Sequence, residues 1–469
     1  MKNSRLIELF KSFSSKEKRL LGLWLDSPIH NSRKDVKKLY LFLIEDTKGL
    51  QVRFLHKELT WAMLYPKQDY DDGQLRQTIH QLLKAVEQFL AYQEFQQDAT
   101  AVQLSLIKNL RKRKTAKAFQ VTSKQLEQKL KKQTQQDATY VQHQHNLLME
   151  QFLVSEEAMR IVPRNLQKVS DSLDIQYIAQ KLRQACLLHP HQAMYKNDYN
   201  PKLLDVILAA TESEGYQDSI PAIGVYYHCY LALRASPEAA KHYDQLLIYL
   251  YTQSAYFGKD EMRSLYLLAI NYTIRQLNEG IEGYLEKVFE LYRTGIEEGF
   301  LVQDGNLSPW TYRNAITAGI RLQKYAWAEK FIKTYQSFIP IAHQDTIPKE
   351  CLAKLYYEQK QYKKAITILD GIQFKDILLQ INSKIILAKI YYELQDLDAL
   401  DPLLHNIKTY LKRKELVGYH KENYNNVIRL IQRLVKTNLF DKEAKKALRE
   451  EIQNTQPLTE KDWLLQELQ

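Results

Sequence analysis

Apolar residues over the first hundred positions recur every three or four residues, the spacing that places side chains on one face of an α-helix. One such run consists of Leu75, Ile79, Leu82, Leu83, Val86, Phe89 and Leu90. Asp71 and Asp72 precede it and predict where the helix begins. Ser14 and Glu17 have the spacing of a capping box at the start of an earlier helix. The pattern predicts four helices within an N-terminal helical domain, residues 1–98.

Composition extends the helical prediction to the rest of the chain. Only 14 of 469 residues are Gly and 12 are Pro, about 3% each, against typical usage of roughly 7% and 5%. Few helix-breaking residues therefore interrupt the apolar pattern. Thr122 and Gln125 again have capping-box spacing and predict a helix that begins there and extends to about Leu153.

A seven-residue segment returns 35 residues further along the chain. Residues 352–358 read LAKLYYE and residues 387–393 read LAKIYYE, so six of the seven positions are identical. A fixed period of this size is the signature of stacked helical hairpins. Because each hairpin buries its apolar face only against its neighbours, the stack leaves a long surface on which another macromolecule can bind.

The residues of these two units resemble the tetratricopeptide repeat, whose pattern is Leu-small-x-x-Tyr, then Ala, then an aromatic residue or Leu, in about 34 residues. The matching positions are Ala353, Tyr356, Tyr362, Ala365 and Leu369 in one unit, and Ala388, Tyr391, Leu397, Leu400 and Leu404 in the next. We expect the signature tyrosines, Tyr356 and Tyr391 among them, to pack inside the repeats.

The resemblance is clearest over residues 347–407 and looser over residues 225–436. It implies an all-α protein in which the N-terminal domain is followed by a superhelix of such repeats, residues 99–469. Residues 441–469 form its predicted C-terminal cap. Within that cap, Trp463, Leu464 and Leu468 belong to a short amphipathic helix after Pro457 and are expected to cover the apolar face of the last repeat.

In the tetratricopeptide family the first helix of each unit lines a concave surface, so the resemblance implies a binding site beside the signature positions. Carried onto this chain, the site residues are Glu350, Lys354, Tyr357 and Glu358 in one unit, and Asn382, Lys389, Tyr392 and Glu393 in the next. Paired Lys and Tyr side chains would hold a peptide by charge-assisted hydrogen bonds and aromatic contact. Alternatively, Lys354 and Lys389 are solvated side chains lying over Tyr357 and Tyr392.

Positive charge is concentrated in one stretch. The chain has a formal net charge of +11. Ten basic residues and one acid, Glu127, lie between positions 108 and 132; the basic residues are Lys108, Arg111, Lys112, Arg113, Lys114, Lys117, Lys124, Lys129, Lys131 and Lys132. Clustered cations bind phosphates by displacing counterions, so a nucleic-acid-binding regulator is the alternative function. A solvated helix face is the other interpretation, since Phe119 is the one aromatic residue among them.

Residues 53–92 are similar to the helix pair in winged-helix domains of bacterial transcriptional activators. The residues that carry this similarity are Trp61-Ala62-Met63-Leu64-Tyr65-Pro66, Leu75-Arg76, Ile79, Leu82-Leu83-Lys84 and Glu87. The resemblance implies that Arg76, Gln77, His80, Gln81 and Lys84 face a major groove. The sequence lacks the Gly-rich alternating segment of a wing. The same residues are also what the polar face of an ordinary amphipathic helix would contain.

The sequence contains no motif of nucleotide-binding or zinc-protease chemistry. Its three cysteines, Cys186, Cys229 and Cys351, lie far apart, and the charged N-terminus is unlike a signal peptide, which predicts reduced thiols and a cytoplasmic protein. No apolar run approaches the ~18 residues of a spanning helix. We therefore predict a non-enzymatic scaffold with no catalytic residue, cofactor, metal site or membrane association, and with a protein or peptide partner that the sequence does not identify.

Overall fold

The computed structural model describes eight ranges of the chain, residues 4–45, 56–158, 166–195, 199–234, 236–370, 376–413, 419–438 and 440–468. Within them the protein is all-α, as predicted. The β-structure of these ranges is one short antiparallel hairpin, β1 (Val302–Gln303) with β2 (Asn306–Leu307). The chain divides into two compact units, Met1–Ile178 and Ala179–Gln469.

The described part of unit one consists of helices that pack against one another. They are α1 (Arg5–Ser12), α2 (Ser15–Asp26), α3 (Lys34–Glu45), α4 (Lys57–Leu64), α5 (Asp72–Gln97), α6 (Ala99–Lys112), α7 (Ala116–Lys132) and α8 (Ala138–Ala158), and α9 (Leu166–Tyr195) crosses into unit two. Ser14 and Glu17 form the predicted capping box of α2. Asp71 accepts hydrogen bonds from the first backbone N–H groups of α5, so both predicted helix starts are confirmed.

Two separate apolar clusters form inside unit one. The first draws its buried residues from positions 6–89 and includes Phe10, Leu39 and Trp61. The second lies between positions 104 and 147. The predicted domain boundary at residue 98 falls between these clusters and stays a prediction.

The prediction of one helix from Thr122 to about Leu153 is wrong at both ends. Helix α7 begins six residues earlier, at Ala116, and ends at Lys132, and a separate helix, α8, begins at Ala138. The reason for the earlier start is that Phe119, one turn before Ser123, already belongs to the buried face of α7 with Leu126 and Leu130. Apolar packing along that face places Thr122 inside the helix in spite of its capping-box spacing.

The helices of unit two pack largely in consecutive pairs. They are α10 (Leu204–Ser213), α11 (Tyr216–Ser219), α12 (Pro221–Leu233), α13 (Ala239–Thr252), α14 (Lys259–Asn278), α15 (Tyr284–Glu297), α16 (Pro309–Arg321), α17 (Tyr325–Tyr335), α18 (Ile341–Gln344), α19 (Ile347–Glu358), α20 (Tyr362–Asp370), α21 (Ile377–Glu393), α22 (Leu397–Arg413), α23 (Tyr419–Lys436), α24 (Lys442–Asn454) and α25 (Lys461–Gln466). Contacts join the pairs α12/α13, α14/α15, α16/α17, α19/α20, α21/α22 and α23/α24, and we call the earlier helix of each pair its first helix. This packing of consecutive helices is compatible with a helical repeat.

The pair α19/α20 packs through the small residues that the sequence singles out. Ala353 and Ala365 have no exposed surface and lie in one apolar cluster with Leu369. A small side chain at the crossing lets two helix backbones approach closely. The next pair has Ala388 at the equivalent position, and it is also fully buried.

Helix α25 covers the apolar face of the last helix pairs, as predicted. Trp463, Leu464 and Leu468 are buried in one cluster with Ile428 of α23 and Leu448 of α24. Helix α25 has only six residues, so this segment is held by the burial of these three side chains more than by its own helical propensity.

Candidate partner-binding surface

Polar side chains connect the first helices of successive pairs in unit two. The hydrogen-bonded couples are Tyr226 with Glu261, Arg313 with Glu350, Tyr357 with Glu393 and Tyr424 with Asn382, separated by 35, 37, 36 and 42 residues of sequence. Each couple joins one first helix to the next. The similar sequence separations of these four couples indicate that the first helices they join present corresponding faces to one another.

Glu350, a predicted site residue, is buried in one of these couples. The Arg313 guanidinium donates to both carboxylate oxygens of Glu350, at 3.1 and 2.9 Å. The Glu350 residue is only 4% exposed. A paired, buried carboxylate is not available to a ligand, so the interaction holds α16 against α19 instead.

Lys389, also predicted to contact a partner, is buried by residues from the end of the sequence. Its Nζ lies 2.9 Å from Glu460 Oε2 and 4.7 Å from the centre of the Tyr357 ring. The Trp463 ring centre lies 5.3 Å from the same Nζ. The ammonium group is therefore enclosed by one carboxylate and two aromatic faces, an arrangement that stabilises a desolvated cation.

The Glu393 carboxylate binds three donors from three other parts of unit two. The hydroxyls of Tyr357 and Tyr362 donate to its two oxygens, and the indole Nε1 of Trp463 donates to Oε1 at 3.0 Å. Burial raises the pKa of the Tyr357 hydroxyl, and its hydrogen bond to Glu393 raises it further, so this tyrosine stays a donor. Burial and the charge of Glu393 also raise the pKa of the nearby Glu467 carboxyl.

Two asparagine side chains of α23 fix the segment that carries Glu460 and Trp463. Asn423 Oδ1 accepts a hydrogen bond from the Thr459 backbone N–H at 2.8 Å, and its Nδ2 donates to the Thr459 hydroxyl at 3.1 Å. Asn426 donates to the carbonyl of Pro457 at 3.1 Å. These contacts place residues 457–468 against α21, where a partner was expected.

The structure therefore divides the predicted peptide site in two. Tyr357 and Tyr392 are buried, with 7% and 6% exposure, and Tyr392 lies edge-on against Trp463. Asn382 Oδ1 accepts a hydrogen bond from the Tyr424 hydroxyl at 2.7 Å. Lys354 is half-buried and Glu358 is exposed, so these two remain accessible.

The accessible side chains continue onto α16, where sequence reasoning missed a residue. Trp310 is 55% exposed, and the Arg313 guanidinium carbon lies 5.5 Å from its ring centre. Trp310, Arg313, Asn314 and Thr317 follow the three-four spacing of one helix face. The Lys354 Nζ lies 3.4 Å from the Thr317 hydroxyl, which joins this face to α19. The sequence signal for Trp310 was a tryptophan that shares a helix face with polar residues.

The predicted nucleic-acid residues lie on two elements of unit one. Arg76, His80 and Lys84 are exposed on α5, and the Arg76 guanidinium pairs with Asp72 at 2.7 Å on the same helix. Of the basic stretch, Arg111 is mostly buried and pairs with Glu150 at 2.7 Å. Lys112, Arg113, Lys114 and Lys117 are exposed where α6 turns into α7. Residues 4–45 and 56–98 contain no strand that could serve as a wing.

The three cysteines are all buried. Burial raises the pKa of the Cys186 and Cys351 thiols, which disfavours the thiolate form that a nucleophile needs. In the eight described ranges, no three His, Cys, Asp or Glu side chains cluster closely enough to bind a metal ion.

None of the helices in those ranges combines the length and the apolar character needed to cross a lipid bilayer. No protein-family model, curated protein or solved structure matches this chain.

Proposed function

We infer that this protein is a non-enzymatic interaction scaffold, built from tetratricopeptide-like helical repeats, that binds a protein or peptide on the first helices of unit two. The observation that carries the proposal is the exposed Trp310 beside Arg313, on the same face as Lys354. Trp is among the residue types most enriched where binding energy concentrates in protein interfaces. A large exposed aromatic side chain among polar neighbours is typical of such a site.

The polar couples between first helices support a repeated architecture. Arg313 and Glu350 are 37 residues apart, and Tyr357 and Glu393 are 36 residues apart. Both separations are close to the 35 residues between the segments LAKLYYE and LAKIYYE. In a stack of this kind, corresponding side chains form a continuous surface along one side. That surface suits an extended ligand better than a small molecule.

The chemistry of the surface limits the ligand. Trp310 offers an apolar face to an aliphatic or aromatic side chain. The Lys354 ammonium has three donors, of which one makes the long contact to Thr317, and it suits a carboxylate of the ligand. We therefore propose a peptide segment that carries an apolar side chain and an acidic side chain as the partner's contact site.

The test is a peptide selection followed by measured affinities. A displayed library of 15-residue peptides is selected on the intact chain, and the dissociation constant of each purified hit is measured by calorimetry. The double variant Trp310→Ala with Lys354→Glu should weaken binding at least tenfold, because it removes the aromatic contact and reverses the charge.

The matched control is Ile341→Ala with Lys330→Glu, which removes one exposed apolar side chain and reverses one exposed lysine on other elements. Equal folding of both variants is checked by thermal unfolding. Hits that bind the two variants equally well would overturn the proposed site. A selection that yields no peptide above background would overturn the peptide-binding function itself.

A further inference from the structure

The pair of helices α6 and α7 in unit one, which we call the basic hairpin, carries a dense group of exposed cations. Nine of the ten basic side chains between positions 108 and 132 are exposed, and they are Lys108, Lys112, Arg113, Lys114, Lys117, Lys124, Lys129, Lys131 and Lys132. The apolar face of the hairpin, which includes Leu104, Ile107, Phe119 and Leu126, is buried. The cations therefore lie on the water-facing sides of two helices whose other sides are fixed by the core.

Within the described residues, few of these charges are neutralised by ion pairs. Arg111, the tenth basic residue, is used internally by its ion pair with Glu150. Glu127, the single acid of the stretch, pairs with Lys131 at 2.7 Å across one turn of α7. The Arg113 Nε donates to the neutral side chain of Asn109. The turn between the helices thus keeps Lys112, Arg113, Lys114 and Lys117 within six positions without an acidic residue.

Three lysines of α7 form a regular row. Lys117, Lys124 and Lys131 are seven residues apart, close to two helical turns, so all three lie on nearly the same side of α7. At about 1.5 Å of rise per residue the row extends roughly 21 Å. One strand of a duplex has on the order of six phosphates over that distance, because successive phosphates advance about 3.4 Å along the duplex axis.

We propose that the basic hairpin binds the phosphate backbone of a nucleic-acid duplex, without reading its sequence. The exposed residues between the lysines of α7 include Gln120, Gln125 and Gln128, whose amides donate hydrogen bonds to phosphate and sugar oxygens. This binding site is separate from the peptide surface on unit two, and neither proposal depends on the other.

Two other polyanions fit the hairpin less well. Proteins that bind single-stranded nucleic acid do so largely by stacking its bases on aromatic side chains. Within residues 99–132, all of them described, the one aromatic side chain is Phe119, which is buried. A membrane-binding helix needs a broad apolar face towards the lipid. The large exposed apolar side chains of the hairpin are Leu106 and Val121 only, one on each helix.

The experiment measures binding of the full chain to a fluorescent 20-base-pair duplex of random sequence by anisotropy, from 50 to 200 mM salt. We expect binding that weakens steeply with salt. The triple variant Lys112→Gln, Lys117→Gln and Lys124→Gln should bind about tenfold or more weakly at 50 mM salt. Its log–log salt slope should be shallower by about 2 to 3, one step for each phosphate contact removed.

The matched control removes three exposed lysines elsewhere, by Lys408→Gln, Lys412→Gln and Lys442→Gln, and should bind as the unchanged chain does. Replacing the three hairpin lysines by Arg should retain binding. Absence of duplex binding at 50 mM salt would overturn the proposal, as would equal loss in the hairpin and control variants. Tighter binding to a single strand, or to vesicles with acidic lipid, than to the duplex would also overturn it.

Discussion

The indole N–H of Trp463 donates to the carboxylate of Glu393 at 3.0 Å, across 70 residues of sequence. Trp463 was predicted to belong to the C-terminal cap, and Glu393 was predicted to bind a partner. The contact joins the two. Glu460 makes the parallel contact to Lys389 from the preceding turn. The apolar cap and the polar face of α21 are therefore one structural feature, which residues 457–468 complete.

Trp463→Ala should destabilise unit two by about 3–5 kcal/mol, because it leaves a large cavity in the core and removes a donor from Glu393. Urea unfolding followed by circular dichroism measures the change. Gln466→Ala, an exposed position on the same helix, serves as control and should shift stability by less than about 0.5 kcal/mol. An unchanged unfolding midpoint for Trp463→Ala would mean that residues 457–468 do not stabilise the fold.

Glu350→Gln should cost about 3–5 kcal/mol of unfolding free energy, because the Arg313 charge would be left buried without its carboxylate. Replacing both partners, Arg313→Met with Glu350→Leu, should recover much of that loss, since no buried charge remains. Asp345→Asn removes a surface ion pair to Lys349 and should cost under about 1 kcal/mol. A double variant less stable than Glu350→Gln alone would contradict this account.

Asp35 should make unit one sensitive to acid. The Arg33 guanidinium, at 2.7 and 3.0 Å, holds the pKa of the Asp35 carboxyl well below its usual range, and the Tyr65 hydroxyl at 2.6 Å lowers it further. A group with a depressed folded-state pKa stabilises the fold above its unfolded-state pKa, near 3.9, and that stability is lost as the pH falls below about 4.

Asp35→Asn should lower stability at pH 7 by about 1.5–3 kcal/mol, the contribution of hydrogen bonds to a charged group. The same variant should show a flatter decline between pH 4 and pH 2 than the unchanged chain. Thermal unfolding at stepped pH measures both effects. Parallel curves for the two proteins would show that Asp35 does not titrate with folding.

The histidine pair on α12 and α13 predicts a second pH effect, in unit two. His228 Nδ1 lies 2.9 Å from His242 Nδ1, and burial lowers the pKa of both rings, that of His228 to about 4. Below an unfolded-state pKa near 6.5 the unfolded chain therefore binds more protons than the folded one, so stability falls as the pH drops from 6.5 to 4.

His228→Gln keeps a hydrogen-bonding side chain but cannot take up that proton. Its stability should depend less on pH between 6.5 and 4, and chemical unfolding at half-unit pH steps measures the slope. His405→Gln, which replaces an exposed histidine on α22 of the same unit, is the control. A His228→Gln slope equal to that of the control would contradict the assignment.

Local sequence rules succeeded where the relevant contacts are close in sequence. The capping box of Ser14 and Glu17 joins residues three positions apart, and Asp71 caps α5 through the N–H groups two and three positions further on. The rule failed at Thr122 because a core contact of Phe119 extends α7 past the local signal. Local rules also failed for the tyrosines of the two repeats. Tyr357 and Tyr392 were expected on the open surface but are buried. The signature tyrosines, Tyr356 and Tyr391, are only partly buried.

The sequence by itself determined the all-α class, the small residues inside the clearest helix pair and the apolar face of the C-terminal cap, because helical periodicity encodes which side of each helix is buried. Only the tertiary structure decided which polar side chains stay accessible. Lys354 and Lys389 occupy equivalent positions in the two repeated segments, yet Glu460 and Trp463 enclose Lys389 alone. That choice depends on contacts across some 70 residues, which helix packing creates and no local pattern contains.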